Sequence, residues 1–204
     1  MFCLLKYIYR LIKCVIFIPH FVVYLSKYSF LKQELIIWKD TIPICKKKNL
    51  ISTFFLFIGE FKEYRTVFYH RIGFFSKFLS WYAPGMPNCY IITKRENIGV
   101  GLVLEHGFST IINCESIGAN VKIWQNVTLG KERPGGKRPI LGDNVSVYTG
   151  AIVIGGIKVG NNSSIGAGSV VNKDIPKNVV AYGQPCTIKR EINDHDKIYY
   201  YRRP

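Results

Sequence analysis

Several things this sequence is short of narrow its reading before any motif is found. Acidic residues are scarce, 13 against 28 Lys and Arg, for a formal charge of +15. Such a balance suits an anionic partner: nucleic acid, phospholipid head groups or a phosphate-rich cofactor. Nucleic acid is the poorest fit of the three. The chain has no helix-turn-helix, zinc-finger or ribonucleoprotein signature, and its basic residues are interleaved with apolar runs. The six cysteines (Cys3, Cys14, Cys45, Cys89, Cys114, Cys186) include no C-x-x-C pair. That spacing suggests neither a disulfide framework nor a zinc site, and fits a reduced, cytosolic setting. Long apolar runs are also wanting. The uncharged run from Cys14 to Leu25 has twelve residues, with Pro19 and His20 in its middle, short of the roughly 20 that cross a bilayer. No convincing small-residue cleavage site follows, so a cleaved signal peptide is not expected.

What the chain has in quantity is a repeat. From residue 98 to 176 it reads as six-residue units, each opening on an aliphatic residue: Ile117, Ile123, Leu129, Leu141, Val147, Val153, Val159, Ile165 and Val171. The gap from Leu129 to Leu141 is twelve residues, two periods, so the phase survives it. Glycine often follows the aliphatic residue (Gly118, Gly142, Gly160), and a small or aliphatic residue stands four places after it. One unit is a short strand and a turn, with the aliphatic side chain inward and the glycine easing the bend. Three units close a triangular coil, so about eighteen residues make one turn of a parallel β-helix whose stacked coils share a core.

The charge excess lies mainly outside the repeat: residues 1–97 carry 15 basic and 5 acidic side chains, against 13 and 8 in residues 98–204. Residues 1–87 read as a basic, helical region. Its segment 2–30, apolar with Lys6, Arg10, Lys13 and Lys27, suits a helix lying at a membrane surface, with a helix packed on the body or a true span as alternatives. From Glu60, the spacing of Phe61, Tyr64, Val67, Phe68, Ile72, Phe75 and Leu79 predicts one apolar helix face. The β-helix is expected over 88–188, and 189–204 as a polar, basic tail with a short helix.

Two interruptions of the period carry the chemical information. Ile98 and Leu104 are six apart, but the next aliphatic start, Ile111, comes seven on, which places one extra residue within Glu105–Ser109. The second is the loop from Lys131 to Pro139. Loops thrown from a rigid scaffold commonly carry function. His106, alone among the four histidines, lies in the repeat, at the first interruption. A neutral imidazole is a natural general base for a hydroxyl near neutral pH; a histidine capping a turn is the alternative. Metal is not expected, because the zinc-binding hexapeptide proteins, the gamma-class carbonic anhydrases, use three histidines and this repeat has one.

Leu104-Glu105-His106-Gly107, followed by Gln125-Asn126-Val127-Thr128-Leu129-Gly130, resembles the serine acetyltransferase family. Ile165-Gly166-Ala167-Gly168-Ser169, Gly183-Gln184-Pro185 and Tyr69-His70-Arg71-Ile72-Gly73 extend the resemblance over about residues 60–190. It implies a mainly β protein, a left-handed parallel β-helix preceded by an α-helical region. It also implies acetyl-CoA as donor, homotrimers, and active sites between neighbouring subunits. His106 falls on that family's catalytic base and Glu105 on its acidic neighbour. Gly150, Ala151, Gly168 and Ser169 would line the coenzyme, and Lys173, Lys189 and Arg190 would meet its phosphates, although each is equally readable as a turn residue or a solvated charge. Gln125 and Arg138 are candidate acceptor-binding residues.

The departures from that family fall on the acceptor side. Its second aspartate is replaced by Ile91, the histidine two residues later by Thr93, and the histidine before the loop's closing proline by Arg138. Similar patterns occur among acetyltransferases of bacterial capsule and exopolysaccharide assembly. The expected activity is therefore O-acetylation of a saccharide, in the cytoplasm or at the inner membrane face. Serine O-acetylation and a non-enzymatic β-helix scaffold are the alternatives.

Overall fold

The computed structural model of the chain describes residues 9, 11–42 and 45–192. It divides into two compact units, Met1–Gly85 and Met86–Pro204, each with its own core. The expected tail helix lies in large part beyond residue 192, outside the described residues, as does most of 1–10.

The first unit is helical: α1 Ile18–Ser26, α2 Tyr28–Thr41, α3 Leu50–Glu60, α4 Lys62–Ile72 and α5 Ser76–Leu79. Asn49 caps α3, its side chain accepting from the Ser52 amide at 2.8 Å. The helix then buries Thr53, Phe54, Phe57 and Ile58 on one face. Arg65 on α4 is buried and donates to the carbonyls of Ile58 and Gly59 at 2.7 and 3.2 Å, placing a cation at the end of α3. The predicted apolar face holds for Tyr64, Val67, Phe68 and Ile72, all buried. It does not run on unbroken to Leu79. Gly73, with φ of 64°, ends α4, and the turn after it leaves Phe75 half exposed.

The described residues of the second unit form fourteen short strands. β1 Cys89–Ile91, β3 Thr110–Ile112, β6 Thr128–Gly130, β9 Ile152–Ile154 and β12 Val170–Val171 form a first face. β4 Ser116–Ile117, β7 Ile140–Leu141 and β10 Lys158–Val159 form a second, extended by single bridges at Ile98 and Ile175. The third comprises β2 Val103–Glu105, β5 Lys122–Trp124, β8 Ser146–Val147, β11 Ser164–Ile165 and β13 Val179–Tyr182, with β14 Thr187–Glu191 at its end. Every pairing is parallel except that of β13 with β14. The chain visits the three faces in turn, so successive coils stack and bury Leu104, Ile123, Val147 and Ile165 on the third face, Ile112, Leu129 and Val153 on the first, and Ile98, Ile117, Leu141 and Val159 on the second. This is the expected β-helix of hexads.

Four details differ from the sequence reading. The inward residue after Leu104 is Ile112, paired with Leu129 and fully buried, whereas Ile111 is 40% exposed. The first interruption therefore adds two residues, and a short step through buried Cys114 restores the phase at Ile117. The loop after β6 fills a single step between adjacent faces, so it is an insertion and not a replacement of two hexads. The glycine after the inward aliphatic residue serves close approach instead of the bend: a Cβ on Gly160 would stand 2.5 Å from the Lys177 nitrogen of the next coil. The bend is made two residues later by a left-handed residue, Asn120, Asn126, Asn144, Asn162, Gly150 or Gly168. Finally, residues 187–191 form an antiparallel strand that caps the last coil, where a tail was expected from 189.

Candidate active site

The corner joining the third face to the first gathers most of the candidate residues. Coil by coil it presents Glu105-His106, Trp124-Gln125-Asn126, Tyr148-Thr149-Gly150, Gly166-Ala167-Gly168 and Tyr182-Gly183-Gln184. Parallel pairing sets Glu105 beside Trp124, so His106 and Gln125 follow each other on adjacent coils. Amide-to-carbonyl bonds stitch the corner together, from Asn126 to Phe108 (3.0 Å), Gly150 to Gln125 (3.0 Å) and Gly168 to Thr149 (2.9 Å).

His106 is exposed and has φ of 62°. A non-glycine residue in the left-handed region is uncommon and concentrates at functional corners. The two extra residues explain it, because a hexad corner lengthened by two must fold back on itself, and Ser109 (φ 52°) closes the same bulge. Among the described residues no side chain hydrogen-bonds the imidazole, and Glu105 makes no ion pair with it. The ring is thus presented at the corner with a free choice of partner.

Below His106 the corner narrows to small residues. Ala167 and Gly168 are exposed, and a Cβ on Gly168 would meet nothing within 4 Å. Gly150 takes φ of 71°. At these positions the corner carries no bulky side chain, which leaves room there for a slender ligand. Ala151 and Ser169 do not share in this surface. Both are fully buried, and the Ser169 hydroxyl donates to Gly166 O at 2.6 Å while accepting from the Gly183 amide at 3.2 Å. They support the corner from inside.

The charged candidates are dispersed. Lys189 on β14 reaches the far end of the corner, its ammonium 5.1 Å from the centre of the Tyr182 ring. Arg190 follows it, its guanidinium donating to Glu191 O at 3.2 Å. Lys173 follows β12, at the corner joining the first face to the second. Arg138 is at that other corner too, paired with Glu115 at 2.6 Å. One chain does not bring Arg138 to its own His106. Ile91 and Thr93, where the resembled family has an acidic and an imidazole group, are structural here. The Thr93 hydroxyl is fully buried, accepts from the Cys114 amide at 2.7 Å and lies 3.3 Å from Ile112 O.

Two features of the corner went unread in the sequence. Trp124 and Tyr148 stack with ring centres 4.2 Å apart and planes at 23°, an aromatic ridge starting beside Glu105. Its signal was present, since Trp124 and Tyr148 each follow an inward residue of the hexads, Ile123 and Val147. The side-chain oxygen of Gln125, Oε1, is buried without a hydrogen-bond partner among the described residues, and only the packing of the coils reveals that. The described residues contain no group of three His, Cys, Asp or Glu able to hold a metal ion.

Comparison with known proteins gives this geometry a context. Residues 138–173 match the bacterial transferase hexapeptide (six repeats) family. The galactoside O-acetyltransferase of Escherichia coli (strain K12) is 46% identical over 172 residues, 77% of this chain and 74% of that one. A serine acetyltransferase of Staphylococcus aureus (strain Mu50 / ATCC 700699) is 43% identical over 99 residues, 46% of each chain. In fold, the coenzyme A complex of the serine acetyltransferase from Brucella abortus strain S19 matches with a TM-score of 0.61 at 23% identity, covering 84% of this chain and 72% of that one. By its coils, and by its identity across three quarters of a galactoside-acetylating enzyme, the chain belongs to the hexapeptide-repeat acetyltransferases.

Proposed function

We propose that this protein transfers an acetyl group from acetyl-CoA to a hydroxyl of a saccharide, such as a lipid-linked intermediate of capsule or exopolysaccharide assembly. The observation that carries the proposal is His106, exposed in left-handed backbone at the head of a corner lined below by Gly150, Ala167 and Gly168. His106 takes the acceptor's hydroxyl proton as its oxygen attacks the thioester carbonyl. The tetrahedral intermediate collapses, the carbon–sulfur bond breaks, and the imidazolium returns the proton to the departing thiolate. Glu105 is assigned to favouring the imidazolium through its nearby charge, and Gln125 to the acceptor. The pantetheine arm would follow the small residues, with Lys189 close enough to the far end of the corner to meet phosphate. Because Arg138 stands on another corner, we assign it to the site of a neighbouring copy in a homotrimer. The place of action is the cytoplasm or its membrane face.

Support for a sugar acceptor comes from the galactoside-acetylating relative and from Thr93 and Ile91, whose side chains are not those that hold an amino acid. The similarity to serine acetyltransferases favours L-serine as the second reading. An acceptor screen with labelled acetyl-CoA separates them. Label is expected in galactosides or other sugars. Transfer to L-serine alone would move the assignment to the second reading, and no transfer to any hydroxyl would leave the β-helix as a scaffold.

A further inference from the structure

The first unit carries a surface that acetyl transfer does not use. Residues 11–16 are helical and run into α1, with Phe17 and Phe21 amides bonded to the Lys13 and Phe17 carbonyls. Along this helix Leu11, Val15, Ile18, Val22 and Leu25 recur at steps of four, three, four and three, which sets them in one stripe. All five are exposed, Val15 by 65% and Val22 by 59%. The opposite side is already satisfied, for Phe17, His20 and Tyr24 are buried in the unit. A helix apolar on every side is one that has a cover on every side, and here one side lacks it among the described residues.

A second apolar element stands beside the stripe. The Tyr82 hydroxyl lies 3.2 Å from the Ile16 carbonyl oxygen and its ring meets His20 edge-on, so the segment before it flanks the helix. That segment exposes Trp81 by 86%, Phe74 by 69% and Phe78 by 64%, with exposed Lys77 among them. Scattered apolar side chains on a surface are ordinary, but a stripe joined to an aromatic cluster is not.

We propose that the stripe of Leu11, Val15, Ile18, Val22 and Leu25, with Phe74, Phe78 and Trp81, is a docking surface for an anionic lipid bilayer. Charge decides between lipid and a second copy of the chain. The N-terminal half holds 15 basic and 5 acidic residues, so two such faces repel, whereas an anionic bilayer attracts them. The helix lies in the surface instead of crossing it, since no helix among the described residues is long and apolar enough to span. Tryptophan suits the depth at which head groups meet acyl chains. The proposal gives a structural basis to the membrane-face location above and stands independently of the acetyl-transfer reading.

The test is co-sedimentation of the full chain with phosphatidylcholine vesicles, with and without phosphatidylglycerol. Transfer to a soluble acceptor is followed in parallel, which keeps a failed docking surface apart from a failed enzyme assignment. The wild type is expected to bind the phosphatidylglycerol vesicles and to release with salt. The triple substitution Val15→Ser, Ile18→Ser, Val22→Ser should weaken binding at least tenfold, and Lys77→Glu should reduce the preference for phosphatidylglycerol. Trp81→Ala alone, at a side chain almost wholly in solvent, guards against misfolding of the triple variant and should also weaken binding. A wild type that ignores both vesicle types overturns the proposal, as does binding by the Trp81→Ala and triple variants as tight as that of the wild type. Variants that only reduce the size of the wild-type assembly, without vesicle binding by either, would mark the face as a contact between copies instead.

Discussion

His20 and His106 are imidazoles in opposite surroundings, the one buried and the other exposed. His20 is fully buried between Tyr69 and Tyr82, 2.8 and 3.1 Å from their hydroxyls. Tyr69 gives its own proton to the Ala83 carbonyl, so Nε2 of His20 is the donor toward it and Nδ1 accepts from Tyr82. Burial, and then the charge of Arg65, push the His20 pKa down to about 4. In the unfolded chain the group returns to about 6.5, so unfolding takes up a proton between these values. Its contribution to stability is present above about pH 6.5 and is lost as the pH falls from there toward 4. Urea midpoints measured from pH 7.5 to 4.5 should fall in that window, and His20→Gln should flatten the slope there while lowering stability throughout. Nothing in the sequence near His20 announces this, because Tyr69 and Tyr82 are 49 and 62 residues away. His106 was legible for the opposite reason: it breaks a period, and a break in a period is visible locally. Ile111 shows the limit of that signal. Two adjacent isoleucines both fit the pattern, and only pairing of Ile112 with Leu129 decides which faces inward.

At the scale of the element, the corner joining the second face of the β-helix to the third is held by a ladder of asparagines. Asn120 donates to Asn144, Asn144 to Asn162 and Asn162 to Asn178, at 3.1, 2.9 and 2.9 Å. Each is in the left-handed region, which asparagine tolerates better than most residues. One residue type thus provides both the bend and the bond to the next coil. Replacing Asn144 by Ala should cost about 2–3 kcal/mol, from left-handed strain and lost side-chain bonds. Asn144→Gly keeps the bend and loses only the bonds, so it should be milder by about 1 kcal/mol. Denaturant unfolding of the two variants reads the difference directly, and equal losses would deny the backbone a role. The strands and, Ile112 apart, their inward residues were legible in the hexad pattern. That pattern misassigned the glycines, because close approach to the next coil, as at Gly160, is a contact between residues seventeen apart and leaves no trace in local propensity. The same is true of β14, whose pairing with β13 is antiparallel and outside the repeat.

For the whole molecule, the proposed division of labour is between a helical unit that docks on lipid and a β-helix that presents one corner for chemistry. The family and the reaction class were readable because the motifs Glu-His and Gln-x-Val-Thr-Leu-Gly fall on consecutive coils of that corner. The acceptor was less readable. It depends on what replaces missing groups, and the fold shows Thr93 bonded into the coil wall and Arg138 paired with Glu115 on a different corner. A trimeric arrangement, in which that second corner serves a neighbour, is the simplest use of both. The central claim remains that His106 activates a hydroxyl. It is tested most directly by steady-state acetyl transfer from acetyl-CoA to a sugar acceptor, comparing the wild type with His106→Ala. The variant should fold normally, keep its KM for acetyl-CoA and lose about 10²–10⁴-fold in kcat. A variant that retains full kcat would contradict the account.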